Sequence, residues 1–166
     1  MPRPSLLVIM GVSGSGKTLI GSLLAEQLAL PFVDTDDLHP ESNVAKMASG
    51  VPLDDNDRWP WLELVGERLA AASATGLVVA CSSLKRSYRD AIRDRAPAAH
   101  FILLDGSREL LAERLSHRSG HFMPEGLLDS QLATLEPLGI DESGFVVGVG
   151  GTPGHIVTEI AGRLVH

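Results

Sequence analysis

Residues 11–18 read Gly11-Val12-Ser13-Gly14-Ser15-Gly16-Lys17-Thr18, and this octapeptide decides the fold. It fits the pattern G-x-x-x-x-G-K-[ST], in which small residues let the backbone wrap closely around a polyphosphate. The context agrees. An apolar run, Leu6-Leu7-Val8-Ile9-Met10, precedes it, and residues 17–29 carry Leu19, Ile20, Leu23, Leu24 and Leu28 at the spacing of one helix face. A strand that turns through such a loop into a helix aims its amide N–H groups and the helix N-terminus at phosphate oxygens. All eight residues, Gly11, Val12, Ser13, Gly14, Ser15, Gly16, Lys17 and Thr18, are therefore expected at a nucleotide. Lys17 is to reach the β- and γ-phosphates, and the Thr18 hydroxyl is to coordinate Mg2+.

Outward from the loop, apolar runs at 77–81 and 100–104 predict further buried strands, and shorter runs at 32–33 and 145–147 bring the sheet to about five. Runs that are continuous rather than alternating belong to a parallel sheet covered on both faces. Amphipathic stretches at 59–72, 84–95, 107–117, 127–135 and 153–165 predict the covering helices. Strand–helix alternation with right-handed crossovers gives a three-layer α/β domain. The chain of 166 residues is the size of one domain, so 1–166 is read as a single unit. Polar stretches near 36–58 and 117–126 read as mobile insertions.

Composition narrows the function. Hydrophobic residues make up 44% and charged residues 21%, which argues against disorder. A net charge of −7 disfavours a nucleic-acid backbone as partner, while local cations still suit a small anion in a cleft. No apolar run approaches the ~20 residues of a membrane span. The start of the chain does not read as a signal peptide. The lone cysteine, Cys81, forms no intramolecular disulfide and fits a reducing cytosol.

The second predicted strand leads into Asp34-Thr35-Asp36-Asp37-Leu38-His39-Pro40, at the sheet edge where α/β domains gather ligand groups. Asp34 and Asp36, two apart, can point to one side of an extended segment. One would hold a metal-bound water and the other a substrate hydroxyl. Asp36 is expected to orient that hydroxyl and accept its proton, and it is also a metal candidate. His39 either hydrogen-bonds substrate or caps the turn. Asp37 reads as a helix cap. Arg58 can grip a carboxylate in bidentate fashion. Lys85 and Arg89, four apart on one helix face after the third strand, extend the cationic side, whereas Arg86 and Arg93 read as solvated. The third strand ends Ala80-Cys81-Ser82, without the aspartate that motor ATPases and GTPases place there, and no N-K-x-D guanine motif occurs. Cys81 reads as packing.

The octapeptide, Thr35-Asp36-Asp37-Leu38-His39-Pro40, the long stretch from Lys46 to Leu62 around Pro52, Cys81-Ser82-Ser83-Leu84-Lys85 with Tyr88-Arg89, and Gly120-His121-Phe122 together resemble the bacterial gluconate kinase family. The resemblance runs from about residue 5 to about 160. It implies a P-loop kinase fold close to shikimate and nucleoside-monophosphate kinases, with a helical lid at about 117–126 and an acceptor-binding insertion at about 36–62. It implies ATP-dependent phosphorylation of the 6-hydroxyl of D-gluconate and commonly a homodimer, to which the loop threonine adds Mg2+ as cofactor and the lone cysteine a cytoplasmic location. In kinases of this shape the lid closes over ATP and excludes water. Arg118 is then expected at the transferring phosphoryl group. Arg114, one turn away, either joins it or pairs with the neighbours of Glu113 or with Asp129. His121 is expected to contact substrate, or to serve as a turn residue. Thr152 and Pro153, after the last strand, are expected near the adenine, although such residues also simply start helices. The competing readings are another small-molecule kinase on the same fold and a nucleotide-binding module without turnover.

Overall fold

Apolar residues run unbroken through the central strands because both faces of the sheet are covered. The computed structural model describes residues 5–117 and 125–165. Strands β1 (Leu6–Met10), β2 (Phe32–Asp34), β3 (Leu77–Ala80), β4 (His100–Asp105) and β5 (Gly144–Gly148) form one sheet in the order β2-β3-β1-β4-β5. Every pairing is parallel. The pleat sends Leu6, Val8 and Met10 to one face with Val79, Phe101 and Leu103, and Leu7 and Ile9 to the other with Val78, Ile102 and Leu104.

Helices α1 (Lys17–Leu28) and α7 (Pro153–Leu164) cover the Leu7 face through Leu24, Ile156 and Ile160. Helices α3 (Asp55–Ala71) and α4 (Arg86–Arg95) cover the Leu6 face through Leu62, Val65, Leu69 and Ile92. Helix α2 (Glu41–Ala48) lies ahead of α3 in the chain. Helices α5 (Arg108–Ser116) and α6 (Glu125–Thr134) flank the undescribed segment. Leu111 and Leu128, one from each, pack with Val12 in a third apolar cluster. With the strands parallel, the ends of β1, β2 and β3 open at one edge. β1 lies between β3 and β4, so the crevice where connections diverge falls at its carboxyl end.

Two expectations change. The segment 36–58 is not a loose insertion. It holds a turn of 3-10 helix (Thr35–Leu38) and helix α2. Buried Asn43 donates to Asp57 O at 2.9 Å, and Lys46 pairs with Asp57 at 2.5 Å. Helix α3 also begins at Asp55 rather than Trp59. The Asp54 carboxylate accepts from Asp57 N–H while Asp57 accepts from Asp54 N–H, each at 2.9 Å. This reciprocal cap starts the helix before its apolar pattern begins.

Arg89 is wholly buried, although its helix begins at the ligand edge. Its guanidinium makes a two-pronged contact with Glu142, at 2.7 and 3.0 Å, and donates to Ser83 O at 2.9 Å and Pro137 O at 3.1 Å. Glu142 also accepts from Gly139 N–H and pairs with Arg93, each at 2.7 Å. Burial alone would raise the Glu142 pKa, but the bonds from Arg89, Gly139 and Arg93 outweigh it and hold the carboxyl at about 2. The pair fastens the segment after α6 to the β3–α4 connection. Removing one member leaves the other buried and unpaired, which typically costs about 3–5 kcal/mol. Glu142→Ala is therefore expected to lower the unfolding free energy by about that much in urea titrations at neutral pH. A depressed folded-state pKa stabilises above the unfolded value of ~4.3, and that contribution fades as pH falls toward the folded value. The stabilities of the two proteins are thus expected to converge on acidification.

Candidate active site

The loop between β1 and α1 forms because its glycines allow backbone that other residues resist. Gly14 has φ +87°, and a Cβ there would stand 2.9 Å from Leu115 Cγ and 3.0 Å from Leu111 O. A side chain at this position would be both strained and obstructed by α5. Within the loop, Val12 O accepts from Ser15 N–H at 3.2 Å, Ser15 Oγ at 2.7 Å and Lys17 Nζ at 3.2 Å. Val12 itself is buried beneath the loop, and Gly11 N–H donates to Ser82 O at 3.2 Å. Residues 13–18 line a cleft of about 1120 Å³. Gly16 begins α1 without a side-chain cap, which leaves the helix start available to an anion.

The end of β2 supplies the facing wall. Asp34 and Asp36 both line the cleft but do different things. Thr18 Oγ1 donates to Asp34 Oδ2 at 3.1 Å, while Asp34 Oδ1 accepts from Asp36 N–H at 3.0 Å. Asp34 thus caps the 3-10 turn and reaches the loop threonine, and the turn carries Asp36 onward. Of Asp34 and Asp36, the two carboxylates the sequence offers to a metal, Asp34 is the one that meets Thr18. Asp36 is reached by water yet enclosed by the walls of the cleft. That burial, followed by the neighbouring Asp34 charge, raises its pKa, against the pull of His39 and Lys17. A carboxylate so tuned is a stronger base.

His39 stacks on Trp61 with ring centroids 4.3 Å apart, and its Nδ1 meets Asn43 Nδ2 at 3.2 Å. Burial lowers its pKa, so the ring is neutral at pH 7. Trp61 Nε1 donates to Thr35 O at 2.7 Å and so holds the turn that carries Asp36. Arg58 lines the same wall. It lies 3.4 Å from Asp55, which also meets Lys85 at 3.4 Å and accepts from Tyr88 OH at 2.6 Å. The Tyr88 hydrogen bond leads the effects that hold Asp55 below the usual carboxylate range. Two cations share one side-chain anion here, so the cluster keeps a positive excess.

The structure gathers residues 13–18, Asp36, His39, Arg58, Arg114 and Pro153 around one cleft. Lys85 is not on the lining and instead meets Asp55, the carboxylate that Arg58 also meets. Arg89, expected at the substrate, is instead the buried partner of Glu142, because its helix face turns into the protein. Thr152 caps α7 by accepting from His155 N–H at 3.2 Å, so it serves the helix, while Gly151 and Pro153 beside it line the cleft. Asp129 pairs with Arg108 at 2.6 Å, not with Arg114. Arg118, His121 and most of the expected lid lie outside the described residues. Sequence reasoning missed the support given by Trp61. Its position within Trp59-Pro60-Trp61, one helical turn from Arg58, was the available signal.

Trp61→Phe keeps the ring but loses the bond to buried Thr35 O, which typically costs about 1–3 kcal/mol. The variant is expected to melt at a lower temperature in a thermal-unfolding measurement, because the turn that carries Asp36 loses its tie to α3.

The shikimate kinase family model matches residues 13–136. The thermosensitive gluconokinase of Escherichia coli (strain K12) is 50% identical over 142 residues, covering 84% of this chain and 75% of that protein. A probable gluconokinase of Xenopus tropicalis is 44% identical, covering 96% of this chain and 93% of that one. The crystal structure of a gluconokinase from Sinorhizobium meliloti 1021 superposes with a TM-score of 0.88 at 48% identity, over 99% of this chain and 94% of that chain. The fold, the loop and these likenesses agree: the chain belongs to the gluconokinase family of P-loop kinases.

Proposed function

We propose that the protein is a gluconokinase that transfers the terminal phosphoryl group of ATP to the 6-hydroxyl of D-gluconate, giving 6-phospho-D-gluconate and ADP. The observation that carries this reading is the juxtaposition in one cleft of the Lys17–Thr18 loop with the Asp36–Arg58 wall, in a chain half identical to a gluconokinase.

The loop amides and Lys17 bind and orient the triphosphate. Thr18 and Asp34 offer two oxygen donors 3.1 Å apart, which fits Mg2+, an ion that takes one or two protein oxygens and completes its shell with phosphates and water. Held there, Mg2+ would neutralise charge on the β- and γ-phosphate oxygens. Asp36 holds the primary hydroxyl in line and takes its proton as transfer proceeds. Arg58 grips the carboxylate end of the acceptor, with Lys85 adding field through the shared Asp55. Neutral His39 supports acceptor hydroxyls. Arg114 and Arg118 offset charge on the transferring group, and His121 belongs to the acceptor side. Pro153 packs near the base. The chain supplies positioning and electrostatics, with no covalent intermediate. The lid around 117–126, a single domain, a homodimer and a cytoplasmic location belong to the same proposal.

A coupled ADP assay with gluconate, shikimate and nucleoside monophosphates tests the reading. Turnover is expected with gluconate, and folded protein that leaves gluconate unmodified would refute it. Asp36→Asn is expected to retain ATP binding while kcat falls about 10²–10⁴-fold. In the native enzyme kcat/KM is expected to fall as pH drops through the Asp36 pKa, above the ordinary carboxylate value, because protonation removes the base. Arg58→Ala is expected to raise the KM for gluconate more than that for ATP. Equal changes would place Arg58 in the scaffold.

A further inference from the structure

Helix α6 brings to the cleft a side chain that patterning did not single out. Gln131 lines the cleft, and its Oε1 accepts a 2.7 Å hydrogen bond from Ser13 N–H, 118 residues away. Leu128, one turn earlier, is fully buried against the cluster that contains Val12, and it presses this face of α6 onto the loop. Beyond the helix, Glu136 N–H donates to Leu84 O at 2.7 Å, and Glu136 Oε1 accepts from Arg86 N–H at 3.1 Å. Helix α6 is thus tied to the phosphate loop through Gln131, and the chain just after it to the β3–α4 connection through Glu136.

A glutamine amide has an acceptor end and a donor end. Ser13 occupies the acceptor, and among the described residues no hydrogen bond engages Nε2. The first limb of the loop lies on the acceptor side of the cleft, since Gly11 is bonded to Ser82 O and Ser82 shares the lining with Asp36. The phosphate nearest that side is the one transferred.

We propose that Gln131 is a contact selective for the terminal phosphate: Oε1 fixes the Ser13 limb of the loop, and Nε2 donates to an oxygen of the γ-phosphoryl group. The inference rests on ATP as phosphoryl donor, set out above, and is independent of which acceptor is used. ADP lacks the oxygens that Nε2 would reach, so the contact separates the two nucleotides.

Gln131→Glu keeps the size and an acceptor oxygen for Ser13 but replaces the donor with a negative charge. Calorimetric affinities with Mg2+ are to be measured for a non-hydrolysable ATP analogue and for ADP. The variant is expected to weaken the analogue by roughly 10–100-fold and ADP by less than ~3-fold, the range of a lost hydrogen bond to a charged group. Gln131→Met, neutral and close in shape, is expected to lose at least ~5-fold more affinity for the analogue than for ADP. Thermal melting identifies folded protein, and the methionine variant decides alone if the glutamate variant does not fold. Equal weakening of both nucleotides, or no weakening of either, in folded protein overturns the proposal. Inactivity toward gluconate leaves this comparison intact, so failure of the acceptor assignment and failure of this one are distinguishable.

Discussion

The rest of the structure depends on a helix that begins without its own cap. Among the described residues, three α-helices start on a side chain that accepts one of their first amides, from Asp54, Ser107 and Thr152. The helix after the glycine loop starts on Gly16, which offers no such group. Unsatisfied amide donors and the positive end of a helix make a standing demand for an anion. The parallel sheet, the buried Val12 beneath the loop and the fit of Gly14 against α5 all keep that demand aimed into one cleft.

Around this centre the acceptor wall is assembled from separate supports. Asp34 reaches the loop threonine and caps the turn that carries Asp36, so a single carboxylate ties the glycine loop to that turn. Trp61 holds the same turn from α3 and stacks on His39. The reciprocal cap of Asp54 and Asp57 starts α3 early enough to bring Arg58 onto the wall. Asp36 and His39 sit on a short segment, and Trp61 ties that segment to α3.

Much of this was legible in the chain. The octapeptide announces its chemistry because its residue types and its context are jointly demanded by a bound polyphosphate. The five strands follow from unbroken apolar runs. The limits are equally physical. Four-residue spacing says that Lys85 and Arg89 share a helix face, but not where that face points, and the partner that draws Arg89 inward lies fifty-three positions downstream. The division of labour between Asp34 and Asp36 depends on a turn of 3-10 helix that reorients the chain between them. Helix α3 began ahead of its apolar pattern because the signal lay in two carboxylates and not in hydrophobic periodicity. Gln131 meets Ser13 through tertiary packing alone.

The ladder has a bearing on how the molecule is made. β1 pairs with Leu77–Ala80 on one side and with residues 100–103 on the other. Among the described residues every strand pairing is parallel and no hairpin seeds the sheet, so its central strand waits for chain synthesised much later. Such high contact order slows folding and prolongs the exposure of apolar segments. A nascent chain released before about residue 104 would hold the glycine loop but lack the neighbour that completes its floor. Nucleotide binding should therefore be a late acquisition during synthesis, gained only after the segment that forms β4 has left the ribosome.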